Sequence, residues 1–326
     1  MRLQREPCLP PRPPRSRHEN LAGAASLAAA GDADLNMPRP SPSRRALLFS
    51  AGTSVFAAAF RAFAKIGRIE LGVCGNPDAF AQAEQWGFDY FEPGAASIAA
   101  MSEPEFIAFR QRVLASRIHC RSFNSLIRTL KVVGPEAGRS ANLDVVSAYL
   151  ESTLDRCRQL GGRVAVWGSA SSREVPAGFS RDLAWNQIKT FLGRAGDIAK
   201  AKQMVIGIEP LRKQESNIIN TGAEALRLVR EVNHPQIKMI IDYYHLRVEQ
   251  EDPEILRTAR EHVVHLHFAN PNGRRWPKLP DEDAEYARFF RILKDIGYEG
   301  GLSIEGNGTF ENDAAASLAF FRNELK

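Results

Sequence analysis

The part of this chain that is predicted to fold lacks the excess of positive charge that nucleic-acid-binding proteins carry. Residues 1–64 hold nine arginines, no lysine and four acidic residues, a net charge of +5. The whole chain has 43 basic and 38 acidic residues, so the part after residue 64 has 43 − 9 = 34 basic and 38 − 4 = 34 acidic residues. This balance speaks against a nucleic-acid partner and favours a small or uncharged ligand.

Cysteine is scarce, and phosphate-binding loops are absent from the sequence. The four cysteines, Cys8, Cys74, Cys120 and Cys157, form no CxxC pair and no regular framework. The segment CGNPDAF follows the first predicted strand, and neither a Gly-rich dinucleotide loop nor a Walker loop occurs. Nucleotide-binding folds that depend on such loops are therefore disfavoured.

The N-terminal region has no apolar run of the roughly 20 residues that a membrane-spanning helix needs. Its longest run, 46–60, follows Arg44 and Arg45 and precedes an A-x-A tripeptide at 62–64. A charged start, a short apolar run and an A-x-A ending are typical of a secretory signal peptide. The pattern SRRALL at 43–48 resembles a twin-arginine export signal. The alternative is a fortuitous arginine pair before a buried helix.

These features divide the chain into three predicted parts. Residues 1–36, rich in Pro, Arg and Ala, form a disordered or non-translated leader, with Met37 as the natural start. Residues 37–64 form a twin-arginine signal peptide, and residues 65–326 form one globular domain. The prediction makes the twin-arginine translocation machinery a partner and the periplasm the destination of the protein.

Strand-like and helix-like segments alternate about eight times after residue 65. The predicted helices carry apolar residues every three or four positions, which gives each helix one core-facing stripe. Eight such units match a (β/α)8 TIM barrel, an α/β fold, which we predict as a single domain. A doubly wound open sheet is the alternative. The predicted strands are short and rich in Val, Ile and aromatic residues, at 68–74, 88–93, 117–124, 163–169, 204–210, 238–245, 263–269 and 301–306.

Residues of the kind that bind metals stand at the carboxyl ends of these strands, where a TIM barrel carries its function. Glu209, Asp242, His267 and Glu305 end the fifth to eighth predicted strands, which are neighbours around one arc. Three carboxylates and one imidazole suit Mn²⁺ or Mg²⁺, and the imidazole leaves Co²⁺ or Zn²⁺ open. The sequence therefore predicts a divalent-metal site. His265 points to the same side as His267, one layer deeper, and is predicted to be a hydrogen-bonded core residue.

The region from about 68 to 320 resembles the xylose isomerase-like TIM barrel superfamily of sugar isomerases and epimerases. The segments IGIEPLRKQESNIINT, IIDYYHL, VVHLHFAN and LSIEG are similar to motifs of its branch of D-tagatose 3-epimerases and hydroxypyruvate isomerases. Arg212 stands where that branch usually has Asn, and NPNGRRWPKLP replaces its usual loop after strand seven. The resemblance implies the barrel and the same four metal ligands.

The resemblance also implies substrate contacts at the rim of the barrel. These fall on Glu215, on His245 and on an arginine of the loop after strand seven, Arg274 or alternatively Arg275. His245 alternatively orients a metal ligand. Trp167, near the end of the fourth predicted strand, is expected to stack on a sugar, with core filling as the alternative. Glu92 also ends a predicted strand, but we assign it no role.

The predicted function is a divalent-metal-dependent sugar isomerase or epimerase. Glu209 and Glu305 would flank the carbon next to a carbonyl, one removing a proton and the other returning it. Mn²⁺ is the predicted cofactor. Dimers are common in the family that the chain resembles, but the sequence itself does not give the oligomeric state. The alternatives are a metal-dependent lyase on the same barrel and a non-catalytic sugar-binding module. A phosphodiesterase of the same superfamily is disfavoured, because no Asp-x-His follows strand seven.

Overall fold

The computed structural model describes residues 68–137 and 140–326. The predicted leader and signal peptide lie outside the described residues, and so do the start codon and export that follow from them. Within the described part, no helix is both long enough and apolar enough to span a membrane. The domain boundaries therefore stay predictions.

In the described part of the chain, nine parallel strands form a nearly closed barrel, which confirms the predicted fold. Their order in the sheet is β3-β2-β1-β9-β8-β7-β6-β5-β4, so the two edge strands are adjacent in the chain. A parallel bridge between Gly94 and Asn124 joins the segments that follow β2 and β4, across the gap between the edges. The strands are β1 Glu70–Gly75, β2 Tyr90–Pro93, β3 His119–Cys120, β4 Ser122–Phe123, β5 Val164–Trp167, β6 Val205–Ile208, β7 Ile237–Asp242, β8 Val263–Phe268 and β9 Gly301–Ile304.

The third predicted strand, 117–124, is two short strands in the structure. His119 of β3 pairs with Tyr90 of β2, whereas Ser122 of β4 pairs with Val164 of β5. Arg121 lies between the two halves and accepts a hydrogen bond from Arg163 through its carbonyl oxygen, at 2.8 Å. The segment changes its partner strand at this residue, so eight predicted strands become nine.

The helices pack their apolar stripes against the outside of the barrel, as the periodicity predicts. The stripe Val146, Leu150, Leu154 and Cys157, for example, is fully buried. The α-helices are α1 Phe80–Trp86, α2 Ala95–Ala100, α3 Glu103–Ala115, α4 Ser140–Gln159, α5 Ala170–Arg173, α6 Arg181–Ala201, α7 Gly222–Val232, α8 Tyr243–Val248, α9 Ile255–Thr258, α10 Tyr286–Asp295 and α11 Phe310–Glu324.

The sixth predicted strand, 238–245, is too long by three residues. The strand ends at Asp242, because the Oδ1 atom of this residue accepts a hydrogen bond from the Tyr244 backbone N–H at 2.7 Å. This bond caps the helix Tyr243–Val248, which begins at the next residue. The cap holds the Asp242 carboxylate at the end of the strand and leaves its second oxygen, Oδ2, free to bind another group.

Candidate metal centre

The four predicted metal ligands come together at the carboxyl ends of β6 to β9. One ligand atom from each of Glu209, Asp242, His267 and Glu305 lies within 4.8 Å of the others. Neighbouring strands supply them because these strands are consecutive in the sheet. The four residues are far apart in the chain, so the barrel itself assembles the cluster.

The surroundings of the cluster suit a bound cation. His267 is fully buried and Asp242 is 1% exposed, whereas the Glu305 side chain is 24% exposed. His267 Nδ1 lies 3.0 Å from Glu209 Oε1 and 3.4 Å from Glu305 Oε2. Among the described residues, Asp242 Oδ2 has no hydrogen-bond partner although it is buried. Because a buried carboxylate oxygen without a partner is costly, this orphan atom indicates a place for a metal ion.

Two neighbouring residues, Gly168 and Arg173, help to position Glu209. A Cβ atom on Gly168 would lie 1.7 Å from Glu209 Oε2, so this glycine leaves the space that the carboxylate occupies. The guanidinium of Arg173 is fully buried and donates to the carbonyl oxygens of Trp167, at 3.2 Å, and of Glu209, at 2.7 Å. Arg173 therefore ties the ends of β5 and β6 together at the site.

Glu92 orients the only histidine of the cluster. Its Oε1 atom lies 3.0 Å from His267 Nε2, on the opposite side of the ring from the other ligands. Its Oε2 atom accepts from Ser122 at 2.6 Å, from Ser303 at 2.5 Å and from His265 at 2.8 Å. A proton on Nε2 satisfies Glu92 and leaves the Nδ1 lone pair for a metal ion. The deeper position of His265 is the one that the sequence predicts.

The electrostatics of His267 follow from the acids on both sides of its ring. Burial alone would lower its pKa, but the carboxylates of Glu92 and Glu305 outweigh burial and raise the pKa well above its usual value. An imidazolium ion at this position donates to Glu92 from one nitrogen and to Glu209 from the other. A metal ion must displace the Nδ1 proton in order to bind.

The carboxylates of the cluster differ in their affinity for a proton. Burial raises the pKa of Glu209, and it raises the pKa of Asp242 to about 6. Burial would also raise the pKa of Glu305, but the positive charges of His267 and Arg274 outweigh the effect of burial and lower this pKa to about 2. The two glutamates are thus a pair in which one holds a proton more readily than the other.

Four residues form the rim of the site, and we call them the rim cluster: Arg212, Glu215, Tyr244 and Arg274. Arg274 Nη2 donates to Glu305 Oε2 at 2.7 Å, and its Nη1 atom lies 3.6 Å from Glu215 Oε1. Arg212 Nε donates to the same Glu215 oxygen at 2.7 Å. Both guanidinium groups lie against the Tyr244 ring. The structure thus brings two predicted substrate contacts, Glu215 and Arg274, next to the metal ligands.

The other two predicted substrate contacts are buried. Trp167 has no exposed surface, donates from its indole nitrogen to Ser172 and packs against Phe191. A ring without an exposed face cannot stack on a sugar, so this placement corrects the prediction for Trp167 in favour of core filling. His245 is 1% exposed, and its Nε2 atom lies 3.6 Å from Asp242 Oδ2. That position favours a role in orienting the ligand.

Sequence reasoning missed three residues of the site. Glu92 had the right signal, an acid at the end of a strand, but the strand lies outside the arc of the four ligands. No sequence pattern indicates a role for Arg173, because its hydrogen-bond partners are backbone carbonyl oxygens. Tyr244 follows Asp242 closely, yet only the helix turn after Asp242 places its ring on the rim.

The barrel and the cluster of acids and histidine at its C-terminal end together define a class of protein. The sequence profile of the xylose isomerase-like TIM barrel family matches residues 80–324, about three quarters of the chain. The protein belongs to this family.

Several relatives of the chain are sugar epimerases. A ketose 3-epimerase of Arthrobacter globiformis is 30% identical over 139 residues, 41% of this chain and 47% of that enzyme, so the match spans about half of the relative. The 3-dehydro-D-guloside 4-epimerase of Escherichia coli is 26% identical over 255 residues, 75% of this chain and 93% of that enzyme. The structure of D-psicose 3-epimerase with D-tagatose from Clostridium cellulolyticum H10 has a TM-score of 0.67, with 18% identity, covering 79% of this chain and 100% of that one. This last likeness concerns the fold.

Proposed function

We propose that the protein is a divalent-metal-dependent sugar epimerase or isomerase. One observation carries this proposal: Glu209 and Glu305 reach His267 Nδ1 from the two ends of a four-strand arc, at 3.0 and 3.4 Å. Asp242, whose Oδ2 atom has no hydrogen-bond partner, ends a strand between theirs, and one ligand atom of each of these residues lies within 4.8 Å of the others. Two carboxylates beside one cation site are what a two-step proton transfer requires.

The chemistry follows from the acidity of the substrate. A proton on a carbon next to a carbonyl group is too weakly acidic for a carboxylate to remove it unaided. A divalent ion bound by the four ligands would polarise the carbonyl and stabilise the negative charge that develops on its oxygen. One of Glu209 and Glu305 then takes the proton, and the other returns a proton to the opposite face, which inverts that carbon. Return to the adjacent carbon interconverts an aldose and a ketose.

The names of the relatives support the epimerase proposal. The Arthrobacter enzyme is a ketose 3-epimerase, and the Escherichia coli enzyme acts as a 4-epimerase on a 3-dehydro-glycoside. Both names describe inversion at a carbon of a keto sugar. The three carboxylates and one imidazole make Mn²⁺ the proposed ion. Twin-arginine export to the periplasm, with metal loading in the cytoplasm before export, remains part of the proposal.

Deuterium incorporation tests the function. The purified full chain is first loaded with Mn²⁺, which is then replaced by Mg²⁺ for the NMR measurement. The protein is incubated in deuterated water with ketoses, aldoses and 3-keto-glycosides. Deuterium at the carbon next to the carbonyl, together with formation of an isomer, would establish the function. Release of an aglycone or water would assign the lyase class instead. Sugar binding without exchange would assign a binding module.

Glu305→Gln is the decisive variant. Loss of one acid–base group should reduce exchange by roughly 10² to 10⁴-fold. The matched control is Glu311→Gln, because Glu311 is an exposed acid that contacts Gln82 away from the site. Metal binding of Glu305→Gln is measured in parallel, so that loss of the ion and loss of the acid–base group are told apart. Unchanged exchange in Glu305→Gln would contradict the proposal.

A further inference from the structure

The imidazole ring of His267 meets metal-type donors on both of its sides. On the side away from the candidate metal centre, Cys74 Sγ lies 4.0 Å from His267 Nε2, and Glu92 Oε1 lies 3.0 Å from the same nitrogen. One ligand atom from each of these three residues lies within 4.8 Å of the others. We call Cys74, Glu92 and His267 the inner donor set. It shares one histidine with the four predicted ligands and adds a sulfur atom that they lack.

The fold builds the inner donor set from three strands. Cys74 and Glu92 are paired at the ends of β1 and β2, and paired positions of parallel strands turn their side chains to the same face of the sheet. His267 comes from β8, which is separated from β1 by β9. Glu92 and His267 are fully buried, whereas Cys74 is half-buried. The three donors therefore meet inside the barrel, and the set is least buried at Cys74.

The spacing of the donor atoms suits a tetrahedral zinc ion. Zn–S bonds of about 2.3 Å and Zn–N or Zn–O bonds of about 2.1 Å place sulfur and nitrogen ligands about 3.6 Å apart, and nitrogen and oxygen ligands about 3.4 Å apart. The observed distances from His267 Nε2, 4.0 Å to Cys74 Sγ and 3.0 Å to Glu92 Oε1, lie within about 0.4 Å of these values. Small rotations of the side chains would complete the geometry.

Glu92 keeps one oxygen for such an ion. Its Oε2 atom accepts hydrogen bonds from Ser122, Ser303 and His265, and these bonds hold the carboxylate in place. Among the described residues, Oε1 has a hydrogen bond with His267 alone. An ion that replaces the proton on His267 Nε2 therefore binds the nitrogen and the oxygen that shared this proton, and it leaves neither atom unpaired.

The sulfur atom decides which ions the inner donor set prefers. Thiolate is a soft ligand that selects ions such as Zn²⁺, whereas carboxylate ligands suit Mn²⁺ and Mg²⁺. The four predicted ligands offer three carboxylates and one imidazole, and the inner donor set offers a thiol, a carboxylate and an imidazole. The two nitrogens of one imidazole thus face chemically different sets of ligands.

We propose that Cys74, Glu92 and His267 form a second metal site, which takes a thiophilic divalent ion such as Zn²⁺. This ion binds His267 Nε2, whereas the ion of the candidate metal centre binds Nδ1. A coordinating thiol gives up its proton, so binding releases the proton of Cys74 and the proton on Nε2 to solvent. The inference goes beyond the proposed function and does not depend on it, because metal binding is measured without a sugar.

Cadmium titration tests the second site, because cadmium–thiolate bonds absorb in the ultraviolet whereas bonds from cadmium to carboxylate or imidazole do not. The reference protein is the purified full chain with Cys8→Ser, which removes a thiol outside the described residues. Addition of Cd²⁺ should produce a charge-transfer band that saturates at one thiolate-bound ion per chain. Excess Zn²⁺ should remove the band, and Cys74→Ser should abolish it.

The matched control is Cys157→Ala, because Cys157 is a buried cysteine on helix Ser140–Gln159. This variant should keep the cadmium band. A thermal melt confirms that each variant folds, and Cys74→Ala takes the place of a serine variant that does not. The proposal is overturned by a reference protein without the band, by a band that survives Cys74→Ser, or by a band that resists excess Zn²⁺. Loss of the band in Cys157→Ala would assign the thiolate to another cysteine.

A second pair of measurements separates the two metal sites. Cys74→Ser should leave the Mn²⁺ affinity unchanged in calorimetry, whereas Asp242→Asn should lower the Mn²⁺ affinity and keep the cadmium band. Loss of the band in Asp242→Asn would place Cd²⁺ among the four predicted ligands and overturn the second site.

The same measurements distinguish failure of this inference from failure of the proposed function. If Mn²⁺ does not bind but the cadmium band depends on Cys74, the metal centre of the proposed function fails and the second site stands. If Mn²⁺ binds and no band depends on Cys74, the second site fails and the proposed function stands.

Discussion

At the scale of single residues, the cluster depends on the groups behind its ligands. Glu92 accepts from His267 Nε2 at 3.0 Å and is itself held by two serines and His265. The acid therefore selects which ring nitrogen is open to a metal ion. A hydrogen-bond partner of this kind changes metal affinity without touching the ion.

Glu92→Gln should weaken metal binding by about 10- to 100-fold, because the amide no longer provides the charge that holds the Nε2 proton. Calorimetric titration with Mn²⁺ measures the change. Ser122→Ala is the matched control, since it removes one hydrogen bond to Glu92 but keeps the charge, and it should have a smaller effect. Wild-type affinity in Glu92→Gln would show that the contact is structural only.

Metal affinity should fall as the pH falls. The carboxylates of Glu92 and Glu305 raise the pKa of His267 well above its usual value, so in the absence of a metal the imidazole holds its proton more tightly than a free histidine does. A metal ion must displace this proton, so the apparent affinity should fall on acidification, by up to about tenfold per pH unit below that pKa. Titrations at pH 6, 7 and 8 measure the slope, and buffers of different ionisation enthalpy count the protons. An affinity that is flat with pH would be the contrary result.

At the scale of elements, the ends of the strands decide where the chemistry lies. The ends of β6 to β9 each bring one ligand side chain to the same edge of the barrel, and Asp242 both ends its strand and caps the next helix. The residue after β5 is Gly168, which has no side chain and therefore leaves space for the Glu209 carboxylate.

Gly168→Ala should disable the site while the barrel stays folded. The added Cβ would lie 1.7 Å from Glu209 Oε2, so the carboxylate must move by more than an ångström. A displacement of this size reduces turnover by roughly 10²-fold. Deuterium exchange of a sugar substrate measures the activity, and a thermal melt measures whether the barrel stays folded. Gly193→Ala, on helix Arg181–Ala201 with nothing within 4 Å of the new Cβ, is the control and should keep full activity. Similar activity of both variants would refute the close approach.

At the scale of the whole molecule, the barrel holds three acids and a histidine within 4.8 Å of each other, although their strands are separated in the chain. The fold can keep these charges together because it buries them among hydrogen bonds and leaves one oxygen for a cation. Binding of the ion should therefore stabilise the whole domain, since only the folded chain assembles the site.

Removal of the metal should lower the melting temperature. A ligand at 100 times its Kd stabilises the folded state by about 2.7 kcal/mol, which corresponds to roughly 5–10 °C for a domain of this size. Differential scanning calorimetry with Mn²⁺ and with a chelator measures the shift. Asp242→Asn should abolish it. A melting temperature that is independent of metal would contradict the metal centre.

Export concerns the chain as a whole and depends on residues outside the described ones. Replacement of Arg44 and Arg45 by Lys should keep the protein in the cytoplasm, because the twin-arginine machinery reads the arginine pair. Cell fractionation of a natively expressed precursor measures the distribution. Replacement of Arg39 and Arg61 by Lys, which spares the pair, is the control and should not affect export. Periplasmic protein from the Arg44 and Arg45 variant would refute the predicted signal.

The places of the strands along the chain and their parallel character could be read from the sequence, because buried parallel strands are short apolar runs with local signals. The residues at their ends could be read for the same reason, and the structure brings Glu209, Asp242, His267 and Glu305 together. The change of partner strand at Arg121 could not be read from the sequence, because it depends on the neighbouring strands. The end of β7 at Asp242 could not be read either, because the hydrogen bond from Tyr244 to the Asp242 side chain decides it.

By itself, the sequence determined the repeating pattern of strand and helix and the chemical types of the ligands. Only the tertiary structure decided which side chains meet across the barrel. His267 and Glu92 are 175 residues apart in the chain. Trp167 lies in the core and Arg274 on the rim because helices and loops from distant segments cover one and expose the other. Such contacts depend on closure of the barrel, which local periodicity does not encode.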